Sequence, residues 1–202
     1  MNGAPRWLWL LLAAVAAAWW LQRANPVRHA PGVLVAEAPE QRDIDSQPAP
    51  LRKDDAAIRP LATFSMSARV LGREDYRWDP GARLVPTDLA LGWGRMSDSA
   101  VLEHIDISQG SRFYFWRVHE FPIPEREIIE SSANMHLIAA DDSVRRAIAR
   151  TRVGDVVTFA GYLVEADWPD GRRWVSSLSR SDSGAGACEL VWVESFSIAA
   201  RH

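Results

Sequence analysis

Two residue types are almost missing from this chain of 202 residues: it has one cysteine, Cys188, and one lysine, Lys53. A single cysteine excludes an intramolecular disulfide, and it excludes a structural zinc site built on several thiolates. An excess of basic charge is missing as well, because the formal net charge is −3. The sequence therefore does not describe a disulfide-rich domain or a protein that attracts nucleic acid by charge.

Apolar residues are abundant at the start of the chain. Residues 7–21 read WLWLLLAAVAAAWWL, an unbroken apolar run between two arginines. The run is short for a membrane span, which takes roughly 17–25 residues, but flanking residues can extend it. Trp19 and Trp20 suit the membrane–water interface and suit signal peptidase poorly. We predict an uncleaved signal anchor over residues 1–23, inserted in the lipid bilayer through residues 7–21. The alternative is a cleaved signal peptide.

The residues after this run carry no sign of a core. Residues 24–60 are rich in proline, alanine and mixed charge, and they show no period of 2 or 3.6. This composition predicts a flexible, disordered linker. Because short apolar N-terminal runs most often export the rest of the chain, we expect a single-pass protein of the inner membrane with its globular part in the periplasm.

From residue 61 to residue 199 the pattern is that of a globular domain. Strands are predicted at 64–70, 89–94, 111–118, 155–167, 173–179 and 188–198. Residues 169–171 predict a hairpin turn, and helical segments are expected at 124–131 and, capped by Asp141 or Asp142, up to about residue 150. The predicted class is mainly β: a small closed or partly open β-barrel with one short helix, similar in pattern to an oligonucleotide/oligosaccharide-binding (OB) barrel.

Cys188 is the first candidate for chemistry. A thiol nucleophile needs a neighbouring histidine or cation, which His136 or Arg180 would supply, while Asp182 would orient the histidine. The sequence favours another interpretation, because Cys188 shares a strand face with Leu190 and free cysteines are among the most buried residues. An intermolecular disulfide is a third alternative.

Two further segments contain clustered polar side chains. In the stretch 133–142, His136 lies near Asn134, Asp141 and Asp142, which suggests acid–base work or a cation site. The spacing matches no known metal motif, so a helix cap with a structural histidine is the favoured interpretation, and we predict no metal or other cofactor.

The turn at 176–186 is the second such segment. Ser177 and Arg180 could bind an anion or a sugar, or the turn could be purely structural. The candidate ligand-binding residues are therefore Asn134, Ser177 and Arg180. The segment 112–117, RFYFWR, could stack on bases, but residues 61–199 contain 15 arginines against 20 acidic residues. A strand with an aromatic core face is therefore favoured, and no nucleic-acid partner is expected.

Two stretches also carry a resemblance. SSANMHLIAADDSV at 131–144 and GYLVEADWPDGRRWVSSLSRSDSGAGACEL at 161–190 resemble a family of bacterial membrane-anchored proteins with no assigned activity. The resemblance covers roughly the last 140 residues, and it implies no activity, cofactor or catalytic residue.

The expected function follows from the architecture. An anchor, a linker and a small β domain without a complete catalytic set predict a membrane-anchored periplasmic binding or scaffold module, whose partner is another envelope protein or a polymer. The alternative is an envelope hydrolase or thiol transferase that uses Cys188 and His136.

Overall fold

The computed structural model describes residues 25–46, 48–179 and 188–201. Strands dominate these segments, which confirms the mainly β class. In chain order the strands are β1 (Glu40–Asp43), β2 (Leu51–Lys53), β3 (Ala56–Asp75), β4 (Thr87–Gly92), β5 (Ile105–Gly110), β6 (Phe113–Val118), β7 (Ser132–Ala139), β8 (Val156–Asp167), β9 (Arg173–Val175) and β10 (Glu189–Ile198). The short helices of these segments are a 3-10 helix (Gly94–Ser97) and the α-helices α1 (Ser99–Leu102), α2 (Glu125–Glu130) and α3 (Asp142–Ile148).

Five of the strands form a closed ring of pairings. Around the ring, β3 pairs with β4, β4 with β7, β7 with β10, β10 with β8, and β8 again with β3. The β7–β10 pair is parallel, and the other four pairs are antiparallel. Each of the five strands therefore pairs with a ring strand on both of its sides, and the ring has no edge strand.

Strand β3 makes this closure possible because it serves two partners in succession. Its first part, Ala57 to Arg69, pairs with β8, and its last part, Arg69 to Asp75, pairs with β4. Register shifts lie between Pro60 and Ala62 and between Val70 and Gly72. Extra residues of this kind increase the local twist and bend a strand, so β3 can turn from one side of the ring to the other.

The interior of the ring is the main hydrophobic core. It contains fully buried side chains from all five strands, among them Phe64, Leu89, Met135, Phe159 and Val191. Val144 and Ile148 of α3 extend the same core. Burying one large apolar side chain contributes about 1.5–3 kcal/mol, so this cluster is the principal source of stability.

The outer face of the ring is buried as well along β4, β7 and β10. One cluster packs Leu84 and Val85 from the β3–β4 loop against Ile138, Leu190 and Trp192. Another places the β5–β6 hairpin and α2 over β4. These coverings explain why β7 is buried on both faces and shows no alternation of apolar and polar residues in its sequence.

The segment predicted as a flexible linker is largely structured, which corrects that prediction. Residues 26–35, the N-terminal strap, run along the domain: the amide of Val27 donates to the Val153 carbonyl at 2.8 Å, and Gly94 donates to the Val35 carbonyl at 2.8 Å. Val35 is only 5% exposed and belongs to the main core. Further on, β1, β2 and the start of β3 lie within 24–60. At its end, Ala56, Ile58 and Pro60 are buried between exposed residues, so the segment already has the period of 2 of strand β3 there.

Several predicted elements are confirmed. Helices occupy 125–130 and 142–148, and Asp141 caps α3 by accepting hydrogen bonds from the amides of Ser143 and Val144. The turn after β8 is present, with Gly171 at φ 85°. The predicted anchor, residues 1–23, lies outside the described segments. Within those segments no helix has the length and apolarity needed to cross a membrane.

Candidate functional site

A buried pair of ionisable residues lies on the outer face of the ring. Asp88 on β4 is directly opposite His136 on β7 in the antiparallel register. Nδ1 of His136 is 2.9 Å from Oδ1 of Asp88, and the two side chains are 2% and 0% exposed. Because an isolated buried carboxylate is costly, this position requires compensating charge.

Arg112 supplies that charge from the turn of the β5–β6 hairpin. Its Nη1 donates to Oδ1 of Asp88 at 2.9 Å and to the Val85 carbonyl at 2.9 Å. Its Nη2 donates to both carboxylate oxygens of Asp79 at 2.8 Å. One guanidinium therefore joins the hairpin, the β3–β4 loop and the pair of Asp88 and His136.

The backbone of the hairpin turn is strained, and this turn carries Arg112. Ser111 and Arg112 have φ values of 52° and 71°, in the left-handed region that residues other than glycine rarely adopt. A two-residue turn with both φ values positive matches the twist of a hairpin. The contacts of Arg112 offset a strain of about 1–2 kcal/mol per residue.

Aromatic rings enclose the cluster. The guanidinium of Arg112 lies 3.7 Å from the ring centre of Tyr76 and 5.6 Å from that of Trp174. The ring of Trp174 lies 4.7 Å from that of His136. Burial raises the pKa of Tyr76, outweighing the hydrogen bond that its hydroxyl accepts from the Arg112 amide. Burial alone would also raise the pKa of Asp79, but hydrogen bonds from Arg112 and Gly81 hold it below its ordinary value.

Three predicted site residues meet at this cluster. Nδ2 of Asn134 donates to the Arg112 carbonyl at 3.0 Å, and Sγ of Cys188 lies 3.8 Å from the same oxygen. His136 is on the same strand face as Asn134, two residues further along β7. The structure thus brings Cys188, Asn134 and His136 to one region, with Arg112 between them. Cys188 itself is half-buried.

The remaining predicted residues are placed differently. Ser177 is next to the region, because its amide donates to the Cys188 carbonyl at 3.1 Å. Its hydroxyl bonds within the loop, to the carbonyl of Ser179 at 3.2 Å. Arg180 and Asp182 lie outside the described residues.

The cation site considered at His136, Asp141 and Asp142 does not form. Asp141 caps α3, and hydrogen bonds from Val144 and Ser143 lower the pKa of its carboxyl. Asp142 pairs with Arg145 on the exposed side of the same helix. In the segments that the structure describes, no three histidine, cysteine or acidic side chains are grouped so that they could hold a metal ion.

The geometry favours a structural cluster over a reaction centre. The imidazole of His136 is 2% exposed, and the ring of Trp174 lies against it. Oδ2 of Asp88 and Nε of Arg112 are buried without a hydrogen-bond partner among the described residues. The contacts of Arg112 hold the hairpin and the loop on the outside of the ring.

Sequence reasoning missed Asp88, Arg112 and Trp174. In the sequence, Asp88 marks only the edge of an apolar strand, and Arg112 only flanks an aromatic run. The signal available for Asp88 was a charged residue directly before the apolar run at 89–91. The contact of Trp174 with His136 joins distant parts of the chain, and local pattern does not encode it.

Comparison with known proteins adds no family. No family model matches the sequence, and no curated protein shows significant similarity to it.

Proposed function

We propose that the ring is a small barrel of the OB type. Numbered by their order in the chain, the ring strands β3, β4, β7, β8 and β10 follow the circular order 1-2-3-5-4-1, and the third is parallel to the fifth. A helix, α3, lies between the third and fourth strands. OB barrels are five-stranded and bind oligonucleotides or oligosaccharides on the face of the second and third strands and on the adjoining loops.

In this chain the corresponding outer face of β4 and β7 is covered by the β3–β4 loop, the β5–β6 hairpin and α2. A ligand would therefore have to bind at the adjoining loops. We call residues 76–86 and 168–172 the rim loops. They touch each other, because Nη1 of Arg172 donates to the Pro80 carbonyl at 3.3 Å. The Arg172 guanidinium also lies 4.9 Å from the ring centre of Trp168. An extended ligand would therefore meet aromatic rings, arginine and carboxylates at one rim.

One observation carries the proposal: Trp78, in the first rim loop, is 95% exposed. The next residue, Asp79, is held by Arg112 and accepts a hydrogen bond from the Gly81 amide at 2.9 Å. The loop thus presents a large amphipathic ring to solvent beside an anchored residue. Tryptophan and arginine are enriched among the residues that contribute most to binding, so an exposed tryptophan is the feature expected of a binding surface.

The proposed function is a binding or scaffold module that holds a neutral or weakly charged polymer of the cell envelope, with an oligosaccharide as the favoured ligand. The net charge of −3 disfavours nucleic acid. The apolar run at 7–21 and the resemblance to membrane-anchored proteins support a single-pass anchor in the inner membrane and a periplasmic domain. Protease added to intact spheroplasts should then cleave the domain, and its protection would contradict this orientation.

Changing Trp78 to alanine tests the binding surface. The full chain in mild detergent should co-sediment with purified peptidoglycan, and Trp78→Ala should weaken that binding about tenfold or more, as loss of a central tryptophan typically does. Phe121→Ala is the matched control, because Phe121 is 50% exposed and lies outside the rim loops. If the wild type and Trp78→Ala co-sediment equally with peptidoglycan, or if neither does, an oligosaccharide ligand at this surface is refuted. Crosslinking from position 78 to an envelope protein would show that this surface binds a protein and not a polymer.

The alternative function, thiol chemistry, is favoured by one observation: Cys188 is half-buried beside Asn134 and Arg112. Because Cys188 is the one cysteine of the chain, alkylation of the full-length protein reports on this thiol alone. For a binding module we expect iodoacetamide at pH 7 to label folded protein at least about tenfold more slowly than protein in denaturant, because burial limits access. A folded rate equal to the denatured rate, lowered by His136→Gln, would instead establish a reactive thiol.

A further inference from the structure

A second site lies away from the rim loops, under the N-terminal strap. It is a cavity of about 470 Å³, a size typical of small-molecule pockets. The strap forms one wall, and β3, α1 and the start of β5 form the others. Its lining includes the apolar side chains of Val27, Leu71, Leu102 and Ile107, together with Arg69 and Glu103.

Arg69 is the buried charge of this cavity. The residue is 8% exposed, and its Nη1 donates to the Ser97 carbonyl at 3.0 Å and to Oγ of Ser99 at 2.9 Å. Both acceptors are uncharged. No carboxylate of the described residues forms an ion pair with Arg69, so its positive charge is enclosed without a direct counterion.

Two donors of Arg69 are left over. Nε and Nη2 make no hydrogen bond with the described residues, and neither is a fully buried atom without a partner. Arg69 is one of the residues that line the cavity. Elsewhere in this protein the same two donors form a fork that binds a carboxylate: Nε and Nη2 of Arg201 donate to the two oxygens of Asp155 at 2.7 Å each. Arg95 holds Glu127 in the same way. Bidentate pairing of this kind is strong and specific for planar anions.

Charged side chains also line the cavity. Arg28 and His29 line the cavity, and the ring of His29 is fixed by donating from Nε2 to the Gly154 carbonyl at 2.8 Å. Glu103, the C-cap residue of α1, adds one negative charge to the lining. Burial lowers the pKa of Arg69, an effect that the charge of Asp98 partly offsets. Inorganic phosphate has no apolar body to fill the space beside Val27, Leu102 and Ile107, so it would leave those walls uncovered.

We propose that this cavity binds a small organic monocarboxylate, with the carboxylate on the Nε–Nη2 fork of Arg69 and the apolar body against Val27, Leu102 and Ile107. The carboxylate of a short fatty acid and the C-terminal carboxylate of an apolar peptide share this chemistry. The site is independent of the rim loops, so its failure would leave the proposed function untouched.

The test uses the full 202-residue chain and sodium hexanoate as the probe. At about 20 mM, hexanoate should raise the melting temperature by about 3 °C relative to sodium chloride, the shift for a ligand well above its Kd. Hexan-1-ol and inorganic phosphate at the same concentration should not. Calorimetric titration with hexanoate and with N-acetyl-alanyl-leucine distinguishes a fatty acid from the C-terminus of a peptide as the natural ligand. Tighter binding of either compound supports a carboxylate site in the cavity.

Variants assign the binding to Arg69. Arg69→Lys keeps the charge but removes the fork, so hexanoate should bind at least about fivefold more weakly. Glu103→Gln, at an exposed position, should bind it about twofold more tightly, and the matched Glu120→Gln, outside the cavity lining, should not. Equal effects of hexanoate and hexanol, or unchanged affinity in both Arg69→Lys and Glu103→Gln, would overturn the proposal.

Discussion

Replacing Arg112 by methionine should lower the free energy of unfolding by about 3–5 kcal/mol, the cost typical of leaving a buried charge without its partner. Asp88 is 0% exposed, and among the described residues its carboxylate forms ion pairs with Arg112 and His136. The substitution keeps the apolar stem but removes the donors to Asp88, Asp79 and the Val85 carbonyl. For a domain of this size the melting temperature should fall by roughly 6–20 °C.

Thermal unfolding followed by circular dichroism measures this effect, and two variants give it a reference. Arg42→Met removes an exposed pair with Glu40, in which the side chains are 76% and 67% exposed, and should change stability by less than about 0.5 kcal/mol. Adding Asp88→Asn to Arg112→Met removes the orphaned charge and should recover part of the loss. An Arg112→Met protein as stable as the wild type would mean that His136 alone compensates Asp88.

Gly161→Ala should be the most damaging small substitution in the ring. Gly161 pairs with Phe64 of β3 on one side and with Val193 of β10 on the other. A Cβ built at this position overlaps the backbone carbonyl oxygen of Trp192, which cannot rotate away as a side chain can. Two strands of the ring must therefore separate, and we expect a loss of about 3 kcal/mol or more.

Urea unfolding of the full chain measures this loss, and Gly110→Ala is the matched control. Gly110 ends β5, and no atom lies within 4 Å of a Cβ built there. Its φ is not positive, so alanine should be neutral or slightly stabilising. If Gly161→Ala and Gly110→Ala unfold at the same urea concentration, the bulge between Val193 and Ser195 absorbs the added methyl group.

The strands that alternate were predictable, and the strand that organises the site was not. β3 alternates along most of its length because one face lies in the core. In β7 the side chains of Asn134, His136 and Ile138 point outward and are still buried, so the period of 2 disappears. The sequence ANMHLIAA therefore shows no strand pattern, although it lies at the centre of the sheet.

The site was predictable only in part for the same reason. Cys188, Asn134 and His136 stand out by residue type, and the structure places them in one region. Their connection runs through Arg112, whose position depends on a hairpin that folds back over the ring. Similarly, the strap is held by single contacts such as that of Val27 with Val153, and no local periodicity marks them. The site and the strap both depend on contacts between distant segments, which local sequence patterns do not reveal.

The closure of the ring also sets the order in which the chain can fold. Ala57 at the start of β3 pairs with Asp167 at the end of β8, and the last strand, β10, joins β7 and β8. Most of the domain must be present before the ring closes, and such distant pairings are entropically slow to form. We therefore expect the domain to fold on the millisecond-to-second scale typical of β-sheet proteins. Until the ring closes, β3 and β8 expose unpaired edges that favour aggregation.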